Sequence, residues 1–327
     1  MVHSRKLKSN SLLDYLEETL HVHVRPNSHL IVALSGGMDS VVLLDALVRY
    51  SKPMQFTLSA THIDHGISEN SAYWGEFCSQ LCESRNIHIS ITRLKVTKEP
   101  GKSLEAIARD ARYQVFNRLT ADYIVLAQHQ DDQAETLLLQ LLRGAGVKGL
   151  AAMPVIRVQA SADTAPQILR PLLQVSRHKI EDYATQNQLC WIEDESNENT
   201  LFNRNFLRHE IFPQLEKRFP SCKTTFTRTS RHLAEASVLL DELAILDIKD
   251  CSQGEKIQID LLSKLSFSRA KNLLRFVSKI RTRLIKYQIN PRTHTNIAML
   301  CCVLPTSGVP QYIIPNPAKN NRTAIND

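Results

Sequence analysis

Apolar and polar positions alternate along the first half of the chain with two different periods. Residues 29–34 form a short apolar run that predicts a buried strand, and residues 39–50 place Val42, Leu43, Ala46 and Leu47 at helical spacing. Residues 56–63 alternate less cleanly and give way to a loop at His65 and Gly66. Residues 69–86 predict a helix with Trp74, Phe77, Cys78, Leu81 and Cys82 along one side, and 87–94 alternate as a strand. Ser103, with Glu105 in the first turn, marks the start of another helix. Residues 122–127 read as a strand and 131–143 as a helix. Strands that alternate with helices of this length predict βαβ units. The expected fold is α/β, an open doubly wound parallel sheet covered on both faces.

Further on, residues 159–167 (QASADTAPQ) and 193–205 (EDESNENTLFNRN) are polar surface stretches. A helix starting near Asn205 is expected to break around Pro213. From Glu216 the pattern turns helical. Across residues 268–287, Leu273, Phe276, Val277, Ile280, Leu284 and Tyr287 fall on one face. A boundary near residues 213–220 is predicted, with a catalytic α/β domain over 1–215 and a second, mainly helical domain over 216–327. No internal repeat is present.

Composition changes this picture little. With 327 residues, 43% of them hydrophobic and 22% charged, and with 10 Gly and 13 Pro, the chain is not collagenous, disordered or a disulfide scaffold. Its seven cysteines are scattered, without a Cys-x-x-Cys pair, so neither a disulfide framework nor a zinc ribbon is expected. Apolar runs are too short to span a bilayer, and residues 12–24 carry acids and histidines where a signal peptide needs an apolar run. The expected compartment is the cytoplasm.

Charge changes it more. The net charge is +7, yet residues 261–326 hold eleven Lys and Arg and no acid, so the rest of the chain is net acidic. That asymmetry points to a polyanionic partner for the C-terminal fifth, and RNA fits better than a membrane surface because the basic helical segment holds no Trp and a single Phe.

The strongest chemical signal is Ser35-Gly36-Gly37-Met38-Asp39-Ser40, placed between an apolar strand and a helix. Two glycines permit a sharp turn that presents backbone N–H groups, and the helix adds its positive end, which suits a phosphate. Asp39 belongs beside a phosphate only if Mg²⁺ bridges the two charges. By contrast, Gly144 to Gly149 matches G-x-G-x-x-G but follows a helix, and it lacks the Lys-Ser/Thr of a Walker loop. His62-Ile63-Asp64-His65-Gly66 closes the second strand and is expected to line a ligand pocket rather than bind metal. Asp131, Asp132 and Glu135 crowd the start of the 131–143 helix. The helix dipole accounts for part of that crowding. A bound Mg²⁺ or a cationic substrate group accounts for it better, and Asp132 and Glu135 can share a face. Arg109 and Arg112 are candidates for phosphate binding or for pairing these acids.

Taken together, SGGMDS (35–40), HIDHG (62–66), ARDARY (108–113), AQHQDDQAETLLLQLLRGAG (127–146), GLAAM (149–153), RPLL (170–173), and EDESN with NRNFLRHEIFPQL (193–215) resemble the PP-loop family of ATP pyrophosphatases. Within it they are most similar to the tRNA(Ile)-lysidine synthetase branch. The resemblance covers about residues 29–215. It implies an adenine nucleotide alpha-hydrolase-like, Rossmann-like fold and a ligase that uses ATP and Mg²⁺. The implied reaction adenylates the oxygen at carbon 2 of the wobble cytidine in the CAU-anticodon isoleucine tRNA with release of pyrophosphate, and free L-lysine then attacks that carbon and displaces AMP.

On this resemblance Ser35, Gly36, Gly37, Met38, Ser40 and His65 bind the nucleotide and Asp39 holds Mg²⁺. Asp132 and Glu135 take the ammonium groups of lysine, and Arg112 faces AMP or phosphate. The basic C-terminal segment takes the tRNA. Position 68 is Ser where the family more often has Arg, and the resemblance fades beyond about residue 300, where residues 301–327 carry four prolines. The alternatives are a sulfur-transferring tRNA enzyme of the same superfamily and a non-catalytic tRNA-binding relict. The sequence is compatible with a homodimer but does not require one.

Overall fold

A computed structural model describes residues 11–280 apart from 67, 69, 95–96, 98–103, 159–164 and 254–255. The chain divides into two units, Met1–Ser237 and Val238–Asp327. The division falls inside a 30-residue helix, well past the boundary expected near residues 213–220.

The first unit opens with α1 (Leu12–His23). Ser11 and Asp14 close a reciprocal cap at its N-terminus, and Leu12, Leu16 and Leu20 bury one stripe four residues apart. There follow β1 (His29–Ala33), α2 (Met38–Ser51), β2 (Thr57–Asp64), α3 (Ser71–Glu83) and β3 (His88–Arg93). Next come α4 (Leu104–Phe116), β4 (Tyr123–Val125), α5 (Gln130–Leu142), the single turn α6 (Val147–Leu150), β5 (Ile156–Arg157), β6 (Gln167–Leu169) and α7 (Arg177–Gln186). Ser103, the expected start of α4, lies outside the described residues.

The six strands order as β3-β2-β1-β4-β6-β5. All neighbours run parallel except the edge strand β5, which runs antiparallel to β6 and departs from a wholly parallel sheet. Parallel pairing with helices on both faces explains why β1 and β4 read as unbroken apolar runs: Leu30, Ile31, Val32, Ile124 and Val125 are buried whichever way they point. The main core gathers α1, α2, α7 and one sheet face around Leu16, Leu30, Leu43, Leu47 and Ile180. A smaller cluster of Ile31, Phe116, Ile124 and Ile168 lies apart from it.

The strand order reverses direction between β1 and β4. In such sheets the crevice beyond the carboxyl ends of those two strands is where ligands bind.

The segment after residue 202 does not break at Pro213. It runs as α8 (Asn203–Phe206), a π-helical turn (Leu207–Ile211) and α9 (Phe212–Arg218), with Pro213 in the first turn of α9. Proline removes one donor from the α pattern, and a widened turn absorbs the loss without ending the helix. Leu207, Phe212 and Cys222 pack on Ala134 of α5, which anchors this segment to the sheet domain. α10 (Cys222–Cys251) begins in the first unit and carries the division between the two.

In the second unit follow the short hairpin β7 (Ser252–Gln253) and β8 (Lys256–Ile257), α11 (Ile259–Leu262) and α12 (Phe267–Ile280). Leu273 and Val277 of α12 pack with Cys251 as the apolar stripe predicted, and residues 281–287 of that expected helix lie outside the described residues. Among the described residues, no helix is long and apolar enough to cross a membrane.

Candidate active site

The loop between β1 and α2 is built by its own backbone and hydroxyls. Gly36 holds φ +89°, a conformation that L side chains rarely adopt, and a Cβ there would lie 2.9 Å from Cδ1 of Ile192. The Gly36 carbonyl accepts the Ile192 N–H at 2.9 Å, which pins the loop to the chain after α7. Ser40 is buried; its hydroxyl donates to the Gly37 carbonyl at 2.8 Å and accepts the Ser35 N–H at 3.2 Å. The Ser35 and Ser40 hydroxyl oxygens lie 3.1 Å apart. Ser40 therefore closes the loop. Met38 buries its side chain in the core, which leaves its backbone as the part that can face a ligand. Gly37 caps α2 with no side chain, so no side chain satisfies the first-turn N–H groups, and that is the arrangement an anion completes.

Beyond β4, His129 is the cap of α5 and is 1% exposed. Its backbone N–H donates to Asp132 (3.0 Å), and while the ring is neutral its Nδ1 accepts the Asp131 N–H (3.2 Å), a bond the charged ring gives up for the Asp131 carboxylate 3.7 Å away. Its Nε2 lies 3.6 Å from Asp39 and 3.5 Å from Asp132. The imidazole thus joins the phosphate-type loop to the acidic helix start. Burial alone would depress the His129 pKa, but the surrounding carboxylates of Asp132, Asp39 and Asp131 outweigh it and raise the pKa to about 9. Burial likewise pushes the Asp39 carboxyl up, and His129 with Arg177 and Arg208 overcomes that and holds it below its ordinary range.

Each acid at the start of α5 has cations of its own. Asp131 meets the Lys223 ammonium at 2.7 Å and accepts the Arg177 N–H at 3.2 Å. Glu135, 1% exposed, accepts two bonds from Arg208 (2.8 and 3.2 Å) and pairs with Arg204 at 3.0 Å. Arg208 also reaches Asp132 at 3.6 Å. These cations come from residues 177–223 and were not singled out from the sequence. The available signal was spacing: Arg204 and Arg208 are four apart on one helical segment, and Asp132 and Glu135 are three apart on another.

At the end of β2, His65 and Arg112 come together. The Arg112 guanidinium approaches Nε2 of His65 at 3.1 Å, so Nε2 acts as acceptor and the ring proton sits on Nδ1, which is buried without a partner. Burial and the Arg112 charge lower the His65 pKa to about 4. His62 is buried, with Nδ1 on the Leu34 carbonyl at 2.9 Å, and serves the loop's foundation. Arg109 lies over the Tyr113 ring.

The structure therefore brings Asp39 of the 35–40 loop, Asp131 and Asp132 around one buried histidine, with Glu135 tied to Asp132 through Arg208, while His65 and Arg112 form a separate pair at the neighbouring strand end. Oδ1 of Asp39 is buried with no hydrogen-bond partner. An ionised, orphaned carboxylate oxygen beside an anion-type loop fits a divalent cation, for which Mg²⁺ characteristically takes one or two carboxylates plus phosphate oxygens. Among the described residues, no three His, Cys, Asp or Glu side chains are arranged to hold a metal by themselves.

A glycine loop opening a helix, at the point where the strand order reverses, defines a nucleotide-binding α/β domain. The chain belongs to the PP-loop domain family, which matches residues 8–215. It is 49% identical to the tRNA(Ile)-lysidine synthase of Nitrosomonas europaea over 88% of this chain and 62% of that protein. It is 43% identical to the enzyme of the same name from Azoarcus sp. strain BH72, over 77% of this chain and 56% of the relative. The chain thus spans only about three fifths of the length of these curated relatives. Among solved structures, the U34-tRNA thiolase NcsA of Methanococcus maripaludis superposes with a TM-score of 0.57 at 21% identity, over 68% of this chain and 78% of that one, a likeness of fold.

Proposed function

We propose that the chain attaches L-lysine to carbon 2 of the wobble cytidine in the CAU-anticodon isoleucine tRNA, with ATP converted to AMP and pyrophosphate. The observation that carries this reading is the junction at His129, where a phosphate-type loop meets a carboxylate cluster suited to a cationic substrate. The identity to lysidine synthases over most of the chain supports it.

In this reading the backbone of Ser35, Gly36, Gly37 and Met38 binds the ATP phosphates, and Ser40 keeps the loop closed. Asp39 holds Mg²⁺, which when bound neutralises charge on the polyphosphate. The cytidine oxygen is adenylated and pyrophosphate leaves; the lysine amine then attacks carbon 2 and AMP departs. Asp132 and Glu135 bind the ammonium groups of lysine, and Arg208, which bridges both carboxylates, yields one of them. His65, its tautomer set by Arg112, lies beside the nucleotide, with Arg112 facing AMP or phosphate. The basic residues of 261–326 take the tRNA in the cytoplasm, largely through phosphates. Arg269 is the exception, because it is paired with the buried Asp247.

Sulfur transfer fits less well. Burial raises the Cys78 and Cys82 thiols to about 12 and about 11, the reverse of what a persulfide carrier needs.

AMP release from radiolabelled ATP tests the proposal, with no addition, lysine, tRNA, or both. Release that requires both, and fails with elongator methionine tRNA, is expected. Release that needs tRNA but ignores lysine would move the chain to another tRNA modification, and no release would favour a tRNA-binding relict.

A further inference from the structure

A second charged cluster lies outside the loop and the acid helix. The Arg109 and Arg157 guanidiniums each stand 5.2 Å from the centre of the Tyr113 ring. The Tyr113 hydroxyl accepts from Arg170 at 3.3 Å. Arg170 is only 2% exposed, and its other side-chain partners are the Gln128 amide oxygen and the Pro154 carbonyl at 3.1 Å, both neutral. Three arginines therefore surround one tyrosine, and among the described residues no carboxylate pairs with Arg109, Arg157 or Arg170.

That arrangement is costly by itself. A buried guanidinium held by neutral acceptors keeps most of its desolvation penalty, and two like charges nearby add repulsion. Burial and the charges of Arg157 and Arg109 lower the Arg170 pKa, although the contact with Tyr113 works the other way. An anion from outside the chain would compensate the cluster. Its place is informative: Gln128 follows β4 and Arg170 follows β6, both at the carboxyl ends of strands, the same edge as the candidate active site.

We propose that Arg109, Tyr113 and Arg157, backed by Arg170, form a docking surface for the phosphate backbone of an RNA substrate beside the active site. The inference rests on the RNA-modifying reading above. Arg109 and Arg157 are exposed and spread across an aromatic face, a combination suited to tracking a nucleic-acid backbone. The loop after β1 already supplies the anion site for a nucleotide.

The test compares the wild-type chain with Arg109→Gln/Arg157→Gln in binding a transcribed CAU-anticodon isoleucine tRNA at several salt concentrations. ATP affinity is measured separately without RNA. The double variant should bind the tRNA on the order of tenfold more weakly at 0.1 M salt, with a salt dependence shallower by about one to two units. ATP affinity should not change, and Arg109→Lys/Arg157→Lys should recover part of the tRNA binding. Unchanged tRNA affinity and salt slope, in a wild type that modifies tRNA, would overturn this proposal alone. An equal loss of ATP affinity would assign the cluster to the nucleotide and overturn it too. A wild type that binds no tRNA would overturn both this surface and the RNA-modifying reading.

Discussion

The two sides of the candidate site are finished differently. After β1, Ser35, Gly36, Gly37 and Ser40 shape a loop from backbone and hydroxyl contacts, and one oxygen of Asp39 has no partner. After β4, the carboxylates of Asp131 and Glu135 are met by Lys223, Arg204 and Arg208, with His129 among the acids. On the proposed function the first side is completed by an arriving nucleotide and cation. The second is already neutral enough to fold by itself. The difference separates two uses of a carboxylate: Asp39 is left available for chemistry, whereas Glu135 is also a structural anchor between α5 and the segment from 203 to 218.

The sharpest way to break this contrast is at Glu135. Glu135→Ala would strip two partly buried arginines of their nearest counter-charge, leaving Arg208 only Asp132 at 3.6 Å, and should destabilise the fold by about 3–5 kcal/mol. Urea unfolding measures it, and a loss below 1 kcal/mol would make Glu135 a binding group only.

His129 is next. Its pKa is raised above the unfolded value of about 6.5, so its stabilisation is complete below that pH and fades as pH rises through about 9. His129→Asn keeps a good helix cap and removes the charge. It should cost on the order of 2–3 kcal/mol at pH 6, and the gap to wild type should close toward pH 10 in thermal unfolding without nucleotide. A gap independent of pH would mean that the imidazole acts only through its shape.

The smallest effect on stability belongs to the loop. Gly36→Ala forces an L residue to φ +89°, at a cost of about 1–2 kcal/mol. ATP affinity should fall more than stability, because the strained turn is what presents the backbone N–H groups. Calorimetric titration with ATP reads this, and unchanged affinity would detach the loop from nucleotide binding.

What could be read from the sequence follows the same division. The glycine loop is local: strand, two glycines and helix lie within about twenty residues, and its conformation follows from residue types. The alternation of strands and helices was equally local, and so the α/β sheet could be anticipated. The acids of α5 could be located, but their partners could not. Lys223 and Arg208 lie 92 and 73 residues beyond Asp131 and Glu135, a separation that periodicity does not bridge. The π-helical turn at 207–211 is not legible for a related reason. Pro213 predicts a break, yet Leu207 and Phe212 packed on Ala134 hold the helix together across the lost donor. The antiparallel edge strand β5, only two residues long, carries too little pattern to be seen.

On the proposed function both sides of this site act in one reaction, joining an activated RNA base to a cationic amino acid. Incubating the chain with ATP, isotope-labelled L-lysine and the CAU-anticodon tRNA, then digesting the tRNA to nucleosides for mass spectrometry, tests it most directly. The label is expected on a single modified cytidine from the wobble position, absent without ATP and absent in Asp39→Ala. AMP release with no label on the tRNA would contradict it.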